Sequence, residues 1–306
     1  MNKSKIIVIG SAGVDLTVKL ERLPKPGETI VGGTFSKAYG AKGANQAVAA
    51  ARLGGNVTFV ANMGDDDYRK ESILNFQNEG INTEFITADN EYPTAVAFIF
   101  VDKKGENAIG VASGANMNLS VKDVEKAKGV IADHNVMLLQ LETPVETNRY
   151  SARLGKEFGI MVILNPAPAF PLDEDLLRMV DVLTPNETEA EILTGIKVVD
   201  ESSAKQAAEM LRKKGAANVI ITMGAKGAFL LTDVHSGMIS SIKIDAVDTT
   251  AAGDAFNGAL AFGLSNGKSL KDAVKFANMA GAFAATKLGA QPSMPRREEL
   301  CKFAGV

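Results

Sequence analysis

Short runs of consecutive apolar residues recur along the chain, separated by longer segments of mixed character. The first run, residues 6–10 (IIVIG), shows no alternation of apolar and polar positions. Similar runs follow at residues 57–61, 136–140, 161–164, 180–183 and 219–222. A strand that is covered on both faces has no polar side, so such runs are typical of buried parallel strands. The pattern therefore predicts the strands of a central sheet.

The segments between these runs repeat apolar positions every three or four residues, which is the spacing of an amphipathic helix. The clearest segments are residues 44–53, 68–77, 121–127, 146–158, 203–213 and 270–285. Strands that alternate with helices indicate an α/β fold, in which a mostly parallel sheet is flanked by helices. No repeat with a period of 20–50 residues occurs, so a solenoid is not expected.

Two stretches interrupt this alternation. Residues 16–35 carry prolines and glycines between β-prone pieces, and residues 94–111 have the pattern of a hairpin around Lys103-Lys104-Gly105. Neither stretch has the pattern of a βα unit. We therefore expect a small β-sheet that projects from a single domain of residues 1–306, with ordinary surface hairpins as the alternative.

Composition and charge exclude several classes of protein. The chain has 306 residues, of which 46% are apolar and 23% charged, as in ordinary globular proteins. Its formal net charge is −3, so we expect no nucleic-acid partner and no membrane partner. The run at residues 6–10 is too short for the core of a signal peptide. The single cysteine, Cys301, excludes an internal disulfide framework and favours a reducing, cytoplasmic compartment.

Two histidines, His134 and His235, leave little for zinc chemistry or a Ser-His-Asp triad. Residues 248–254 (DTTAAGD) precede a helical segment and are more informative. Small side chains leave backbone N–H groups uncovered at a helix start, where they suit a phosphate or an oxyanion. Asp254 beside them is a candidate general base for an alcohol. A capping acid is the common alternative for an aspartate in this position.

Residues 40–46 (GAKGANQ) open a second predicted helix. Their glycines permit a close backbone approach, and Lys42 and Asn45 supply a charge and an amide. Asp15 and Glu142 each follow a predicted strand, where ligands bind in open α/β sheets. Two acids there suit sugar hydroxyls, although each acid alone is equally well explained as a surface residue or a helix cap.

Asn186 and Glu189 follow the strand predicted at residues 180–183. A capping arrangement explains much of this pattern. The functional interpretation is a magnesium site that acts through water, because Mg²⁺ keeps several of its waters. Residues 222–227 (TMGAKG) are either a plain turn or a glycine loop under a nucleotide. Residues 263–269 (GLSNGKS) resemble a Walker A loop but are one residue short, so we interpret them as a helix end and a turn.

The order of these motifs resembles the ribokinase family of carbohydrate kinases over about residues 6–295. Residues 40–46 and 248–254 carry the strongest likeness, and the further matches are residues 165–168 (NPAP), 185–191 (PNETEAE) and 289–293 (GAQPS). The resemblance implies a ribokinase-like α/β fold with a small β-sheet lid, built from about residues 16–35 and 94–111. It also implies transfer of the γ-phosphate of ATP to a sugar hydroxyl, at O5 if the sugar is D-ribose.

The resemblance further assigns roles to individual residues. Asp254 matches the catalytic base, and the N–H groups of an anion hole match Ala251, Ala252 and Gly253. The sugar-binding positions match Gly13, Asp15, Ala41, Lys42, Gly43, Asn45, Glu142 and Asp254. The nucleotide-binding positions match Asn186, Thr222, Met223, Gly224, Ala225, Lys226, Gly227, Gly253 and Asn278.

Metal ions and self-association are implied in the same way. Glu189 matches an indirect ligand of the Mg²⁺ that accompanies ATP. A monovalent-cation site, usually for K⁺, matches Asp248, Thr250, Ala284, Lys287, Gly289 and Ser293. The lid is often a dimer contact in this family, so a homodimer through the β lid is expected.

Two positions depart from the family's pattern. Members usually carry asparagine where this chain has Gly13, and a second glycine where it has Ala41. Gly13 removes a side-chain hydrogen-bonding group from the sugar pocket, so 2-deoxyribose or another small sugar is the alternative acceptor. A positive φ at Ala41 would cost about 1 kcal/mol or more. A non-catalytic sugar or nucleotide sensor is disfavoured, because every polar role named above is filled.

Overall fold

The computed structural model describes residues 4–303. Its strands are β1 (Lys5–Ile9), β2 (Gly13–Lys19), β3 (Thr34–Gly40), β4 (Asn56–Gly64), β5 (Asn82–Asp89), β6 (Ala95–Val101), β7 (Asn107–Ala112), β8 (Val136–Gln140), β9 (Met161–Asn165), β10 (Val182–Leu183), β11 (Asn218–Thr222), β12 (Ala228–Leu231) and β13 (Ser236–Ile239).

The α-helices of the same part of the chain alternate with many of these strands. They are α1 (Lys42–Arg52), α2 (Asp67–Asn78), α3 (Val121–Lys126), α4 (Lys128–Ile131), α5 (Val145–Phe158), α6 (Glu174–Arg178), α7 (Glu187–Thr194), α8 (Glu201–Lys213), α9 (Ala252–Ser265), α10 (Leu270–Ala285) and α11 (Arg297–Phe303). None of the helices between residues 4 and 303 combines the length and apolar character needed to cross a bilayer.

The large sheet has the strand order β13–β12–β11–β10–β9–β8–β1–β4–β5. Neighbours from β11 to β5 pair in parallel, and β12 and β13 add an antiparallel edge. Alternate residues of β1 enter two separate apolar layers, with Ile6 and Val8 on one face and Ile7 and Ile9 on the other. Both faces are thus buried, which explains the unbroken apolar runs of the sequence.

Helices α1, α9 and α10 cover one face of this sheet, and α5 and α8 cover the other. Small residues let α1 and α9 lie unusually close together. A β-carbon built at Gly258 of α9 lies 2.5 Å from the Cβ of Ala49 and 2.7 Å from the carbonyl oxygen of Gln46. Glycine is therefore required at this crossing, which brings the first turns of the two helices together.

A second, smaller sheet has the order β3–β2–β6–β7. Strand β2 pairs in parallel with β6 and antiparallel with β3, and β6 and β7 form the predicted hairpin. The sheet confirms the expected small β-structure beside the main one. It also extends beyond the predicted bounds, because β2 already begins at Gly13, three residues after β1.

Several element predictions need correction. The run at residues 180–183 forms a strand only at Val182–Leu183. The helix predicted at residues 121–127 is present as α3, which ends at Lys126, and α4 follows it as a separate short helix. Strand β5 was not predicted, because its sequence, NTEFITAD, mixes polar and apolar positions as an edge strand does. The interpretation of residues 263–269 is confirmed, since α9 ends at Ser265 and Gly267 has a φ of 77°.

Candidate active site

The starts of α1 and α9 meet at the carboxyl ends of β1 and β8, and Asp254 lies at the centre of this region. Its side chain is only 5% exposed. Oδ2 accepts a hydrogen bond from Nδ2 of Asn45 at 2.9 Å, and Oδ1 accepts one from Nε2 of Gln46 at 2.9 Å. Burial raises the pKa of Asp254, while the ammonium group of Lys42 acts in the opposite direction.

Further acids surround Lys42. Oε2 of Glu142 accepts from the Ser11 hydroxyl at 2.6 Å and from the backbone N–H of Lys42 at 2.9 Å. Burial lowers the pKa of Lys42, but the carboxylates of Asp254 and Glu142 outweigh burial and leave that pKa above its ordinary value. The region therefore holds a charged lysine among acids, which suits the hydroxyl groups of a polar ligand.

Asp15 lies on β2 of the small sheet, not in a loop after β1. Burial, and then the negative charges of Glu142 and Asp254, raise the pKa of Asp15 to about 6. A β-carbon built at Gly40 lies 2.4 Å from both carboxylate oxygens of Asp15. Glycine at position 40 thus makes room for this carboxylate over the start of α1.

The chain enters α1 in a strained conformation. Ala41 has φ 72° and ψ 144°, a combination that is rare outside glycine. Two residues later a β-carbon at Gly43 would lie 2.6 Å from the backbone nitrogen and oxygen of Ser11. The N–H of Gly43 donates to the Ser11 hydroxyl, and that of Ala44 donates to the Ser11 carbonyl. These contacts fix the loop against the end of β1.

Gly13 is buried where β2 pairs with Ala95 of β6. A β-carbon built there lies 2.7 Å from the carbonyl oxygen of Ala95. Asparagine therefore does not fit at position 13 unless β6 moves away. Where this chain has glycine instead of the family's usual asparagine, β2 and β6 approach each other closely. Position 13 therefore has no side chain that could reach the pocket.

Helix α9 begins with a second strained alanine. Ala251 has φ 58° and ψ 11°, the left-handed conformation, and it precedes the first helical residue. Among residues 4–303, Ala41 and Ala251 are the residues other than glycine with positive φ. A left-handed residue followed by helical ones turns successive N–H groups to one side, where they form an anion-binding concavity.

Only some of the N–H groups at this turn have a hydrogen-bond acceptor. That of Ala252 donates to the carbonyl of Thr249 at 3.2 Å. Within the described residues, the N–H of Gly253 has no backbone or side-chain acceptor. Gly253 is exposed, so this N–H at the start of α9 is open to an anion that binds beside Asp254.

A cavity of about 430 Å³ adjoins the start of α9. It contains predicted nucleotide-binding residues from several elements, namely Asn186, Thr222, Gly224, Ala225, Gly227, Gly253 and Asn278. Two predicted residues lie elsewhere. Met223 is buried in the core, and Nζ of Lys226 donates to the carbonyl of Val199. We therefore leave these two residues out of the pocket.

Residues that the sequence did not single out also line this cavity. They include Phe256, Ile242, Ile244, Ala246 and Gly281. Ile242 and Ile244 lie in a stretch without regular structure, so no periodicity marked them. Phe256 follows Asp254 by two residues on α9 and belongs to a helix that the sequence did predict. Its apolar character is typical of core and pocket walls alike.

The predicted magnesium residues form a helix cap. The Asn186 side chain accepts from the N–H of Glu189, and Oε2 of Glu189 accepts from the N–H of Asn186 at 2.8 Å. No group of three or more His, Cys, Asp or Glu side chains suited to a metal occurs in the part of the chain that is described. Asn186 lines the cavity and Glu189 does not, so a role of Glu189 towards an ion would act through water.

The predicted potassium residues are partly brought together. Oδ2 of Asp248 accepts from the N–H of Gly289, and Oδ1 accepts from the N–H of Thr250, both at 2.9 Å. Ser293 follows in the same segment, and its hydroxyl donates to the carbonyl of Ala290. The carbonyl of Ala284 accepts the N–H of Lys287. Asp248 is thus hydrogen-bonded to the segment that carries Gly289, whereas, among the described residues, the hydrogen bonds of Ala284 and Ser293 are to residues near them in sequence.

Comparison with known proteins agrees with this geometry. The profile of the pfkB family carbohydrate kinases matches residues 3–297. The chain is 45% identical to a ribokinase of Haemophilus influenzae over 98% of both chains. It is 39% identical to a deoxyribokinase of Salmonella typhimurium, over 98% of this chain and 99% of that one.

A solved structure of similar fold is Arabidopsis thaliana ribokinase complexed with ribose and ATP. It superposes with a TM-score of 0.90 at 34% identity and covers 99% of both chains. The likeness confirms the ribokinase-like α/β fold inferred from the motifs. With a family match over nearly its whole length and a relative at 45% identity, the chain belongs to the pfkB family of carbohydrate kinases.

Proposed function

We propose that the protein is an ATP-dependent sugar kinase that phosphorylates D-ribose at O5 and yields ribose 5-phosphate. One observation carries the proposal. The buried carboxylate of Asp254 lies beside the N–H of Gly253, which has no acceptor among the described residues. Lys42 and the acids around it lie on one side, and the cavity of about 430 Å³ lies on the other. This arrangement supports the assignment of Asp254 as a base between a sugar acceptor and a phosphate donor. The ribokinases among the relatives support ribose as the acceptor.

In the proposed reaction Asp254 accepts the proton of the sugar hydroxyl as the oxygen attacks the γ-phosphorus of ATP. A bond forms between that oxygen and phosphorus, and the bond from phosphorus to the bridging oxygen breaks, so ADP leaves. The N–H groups of residues 251–253 donate to the phosphoryl oxygens and offset their charge. Glu189 would act through water on the Mg²⁺ that accompanies ATP, and that ion would supply further neutralisation of the phosphate charge.

We assign the recognition of the sugar to the charged groups around Lys42. Asp15 and Glu142 accept hydrogen bonds from hydroxyl groups, and Asn45 supplies both a donor and an acceptor. Oδ1 of Asn45 is buried without a partner among the described residues, which suits a ligand hydroxyl. The small sheet, which carries Asp15, acts as a lid over the sugar.

2-Deoxyribose is a second candidate acceptor, because position 13 offers no side chain to the pocket. A sugar hydroxyl that no group or water pairs there is disfavoured by about 1–3 kcal/mol. A deoxyribokinase relative, at 39% identity, falls between ribokinases at 45% and 38%. We favour ribose, since Asp15 still holds neighbouring hydroxyls, and we expect weaker selection against 2-deoxyribose than an asparagine would give.

Three further assignments complete the proposal. K⁺ bound at Asp248 and the neighbouring oxygens stabilises the turn that presents the N–H groups of residues 251–253. A homodimer forms through the small sheet, whose side chains include exposed Phe35, Phe98 and Val111. The enzyme works in the cytoplasm, as its single cysteine favours.

The test is ADP release from the purified protein with MgATP, measured with and without sugars. We expect release that depends on sugar, with the highest kcat/KM for D-ribose, then 2-deoxyribose, and lower values for hexoses and nucleosides. Mass spectrometry of the product should place the phosphate at O5. Release that is independent of every sugar would refute the kinase assignment, and a preference for a hexose or a nucleoside would refute ribose.

A further inference from the structure

The catalytic carboxylate is anchored by a chain of buried amide side chains that no step of the reaction uses. Nε2 of Gln46 donates to Oδ1 of Asp254 at 2.9 Å and to Oδ1 of Asn165 at 3.0 Å. Nε2 of Gln140 donates to Oε1 of Gln46 at 2.7 Å. Gln46 and Gln140 are fully buried, and Asn165 is nearly so. This chain of amide side chains therefore lies behind Asp254, inside the protein.

The carboxylate dictates how each amide is oriented. Ionised Asp254 only accepts hydrogen bonds, so Gln46 must present its NH₂ group to it. The carbonyl oxygen of Gln46 then faces Gln140, which must donate. Nδ2 of Asn165 is left to donate to the Thr184 carbonyl, at 3.1 Å. One ionised group thus fixes the direction of every amide in the chain.

The same chain reaches the turn proposed to hold the phosphate. The Thr184 hydroxyl donates to Oδ1 of Asn257 at 2.7 Å, and Nδ2 of Asn257 donates to the carbonyl of Gly253 at 2.8 Å. The carbonyl of Gly253 belongs to the peptide that joins it to Asp254. The buried amides therefore tie the base and the adjoining turn to the ends of β8, β9 and β10.

From this geometry we infer that Gln46, oriented by Gln140 and Asn165, is a positioning residue. It holds Oδ1 of Asp254 inside the protein, so Oδ2 is the oxygen that takes the proton of the sugar hydroxyl. The partner of Oδ2 is Asn45, a residue of the proposed sugar pocket, and a carboxylate oxygen has room for a second hydrogen bond. The inference rests on the proposed kinase function.

A pH profile of kcat reports this role, because a donor to the ionised form lowers the pKa of the base. The charged groups that face Asp254 are Lys42 of α1, Glu142 after β8, Asp15 of β2 and Glu189 of α7. All four remain in a Gln46 variant. The acid limb is the part of the pH profile in which kcat falls as the pH drops. A shift of this limb in the Gln46 variant then reports the loss of the amide donor.

The experiment compares Gln46→Met and Gln140→Met with the wild type at saturating ribose and MgATP. Methionine keeps the length of the side chain and removes its polar atoms. For Gln46→Met we expect kcat to fall about 10- to 100-fold and the acid limb to move to higher pH by about one unit. The KM for ATP should stay within about twofold. Gln140→Met should shift both quantities in the same directions, but less.

The control is Thr58→Val, which removes another buried hydrogen bond, between Thr58 and His134 at the amino-terminal end of β4. It should lower the melting temperature without moving the acid limb. An acid limb that does not move in either methionine variant would overturn the inference. The kinase function would still be supported in that case, provided that the wild type shows sugar-dependent ADP release. If Gln46→Met does not fold, Gln140→Met decides alone. A wild type without sugar-dependent release would refute the proposed function itself.

Discussion

Replacing Ala41 by glycine should stabilise the protein, although glycine normally destabilises. The φ of 72° and ψ of 144° at Ala41 place it in a region that glycine alone adopts without strain. Strain of this kind costs about 1–3 kcal/mol. Glycine gives the unfolded chain extra conformational entropy, which costs about 0.4–1 kcal/mol. The difference predicts a gain of about 0.5–2 kcal/mol in the free energy of unfolding for Ala41→Gly.

The gain is large enough to measure. An unfolding entropy of about 2.1 cal/mol/K per residue makes each kcal/mol worth roughly 1.5 °C in a chain of 306 residues. The melting temperature of Ala41→Gly should therefore rise by about 1–3 °C. Calorimetry gives this shift directly, and urea unfolding followed by circular dichroism gives the free energy, provided that the slope with denaturant is unchanged.

The matched control is Ala51→Gly, at a partly exposed position near the end of the same helix. Its backbone is helical, so glycine there should cost about 0.5–1 kcal/mol. The two substitutions are chemically identical and should have opposite signs. Equal destabilisation by both would show that Ala41 is not strained, and the account of the loop would then be wrong.

Four other predictions concern catalysis, ions and assembly. Asp254→Asn should fold normally but lose at least about 10²–10⁴-fold in kcat; retention of more than a tenth of wild-type turnover would remove Asp254 from the role of base. K⁺ should raise the rate of ADP release above that in Li⁺ at equal ionic strength, and equal rates would contradict the cation site. Val111→Lys should give a monomer in sedimentation velocity, whereas Val234→Lys, at a 95% exposed position outside the small sheet, should leave a dimer; a monomeric wild type would refute the interface. Because Asp15 has a pKa of about 6 and must be ionised to accept from sugar hydroxyls, kcat/KM for ribose should fall as the pH drops through about 6; a profile that stays flat there would contradict its role.

The sequence predicted those parts of the fold whose patterns are local. Continuous apolar runs identified the strands buried on both faces, and the small residues before α9 identified its uncovered start. The edge strand β5 could not be predicted in this way, because one of its sides faces solvent and its sequence has no continuous apolar run. The position of Asp15 on the small sheet could not be predicted either, since nothing local shows that β2 begins three residues after β1.

The site was predictable as a set of residues but not as an arrangement. Asp254, Lys42 and Glu142 come together as expected, whereas the anchoring role of Gln46 depends on contacts with residues 94 and 208 positions away. No spacing along the chain encodes such contacts. Met223 illustrates the reverse case, because it lies inside a motif that faces the cavity while its own side chain belongs to the core.

The division of the molecule into two sheets has a consequence for how new specificities arise. Asp15 stands on the small sheet, while Asp254 and the turn before it are held by the large one. We therefore expect substitutions in β2 and β6 to change the proposed acceptor pocket more than the groups proposed to transfer the phosphate. With this division, acceptor preference is open to change while the contacts that hold Asp254 stay as they are. Gly13, where a β-carbon would lie 2.7 Å from the carbonyl oxygen of Ala95, is a position at which we expect such a change to act.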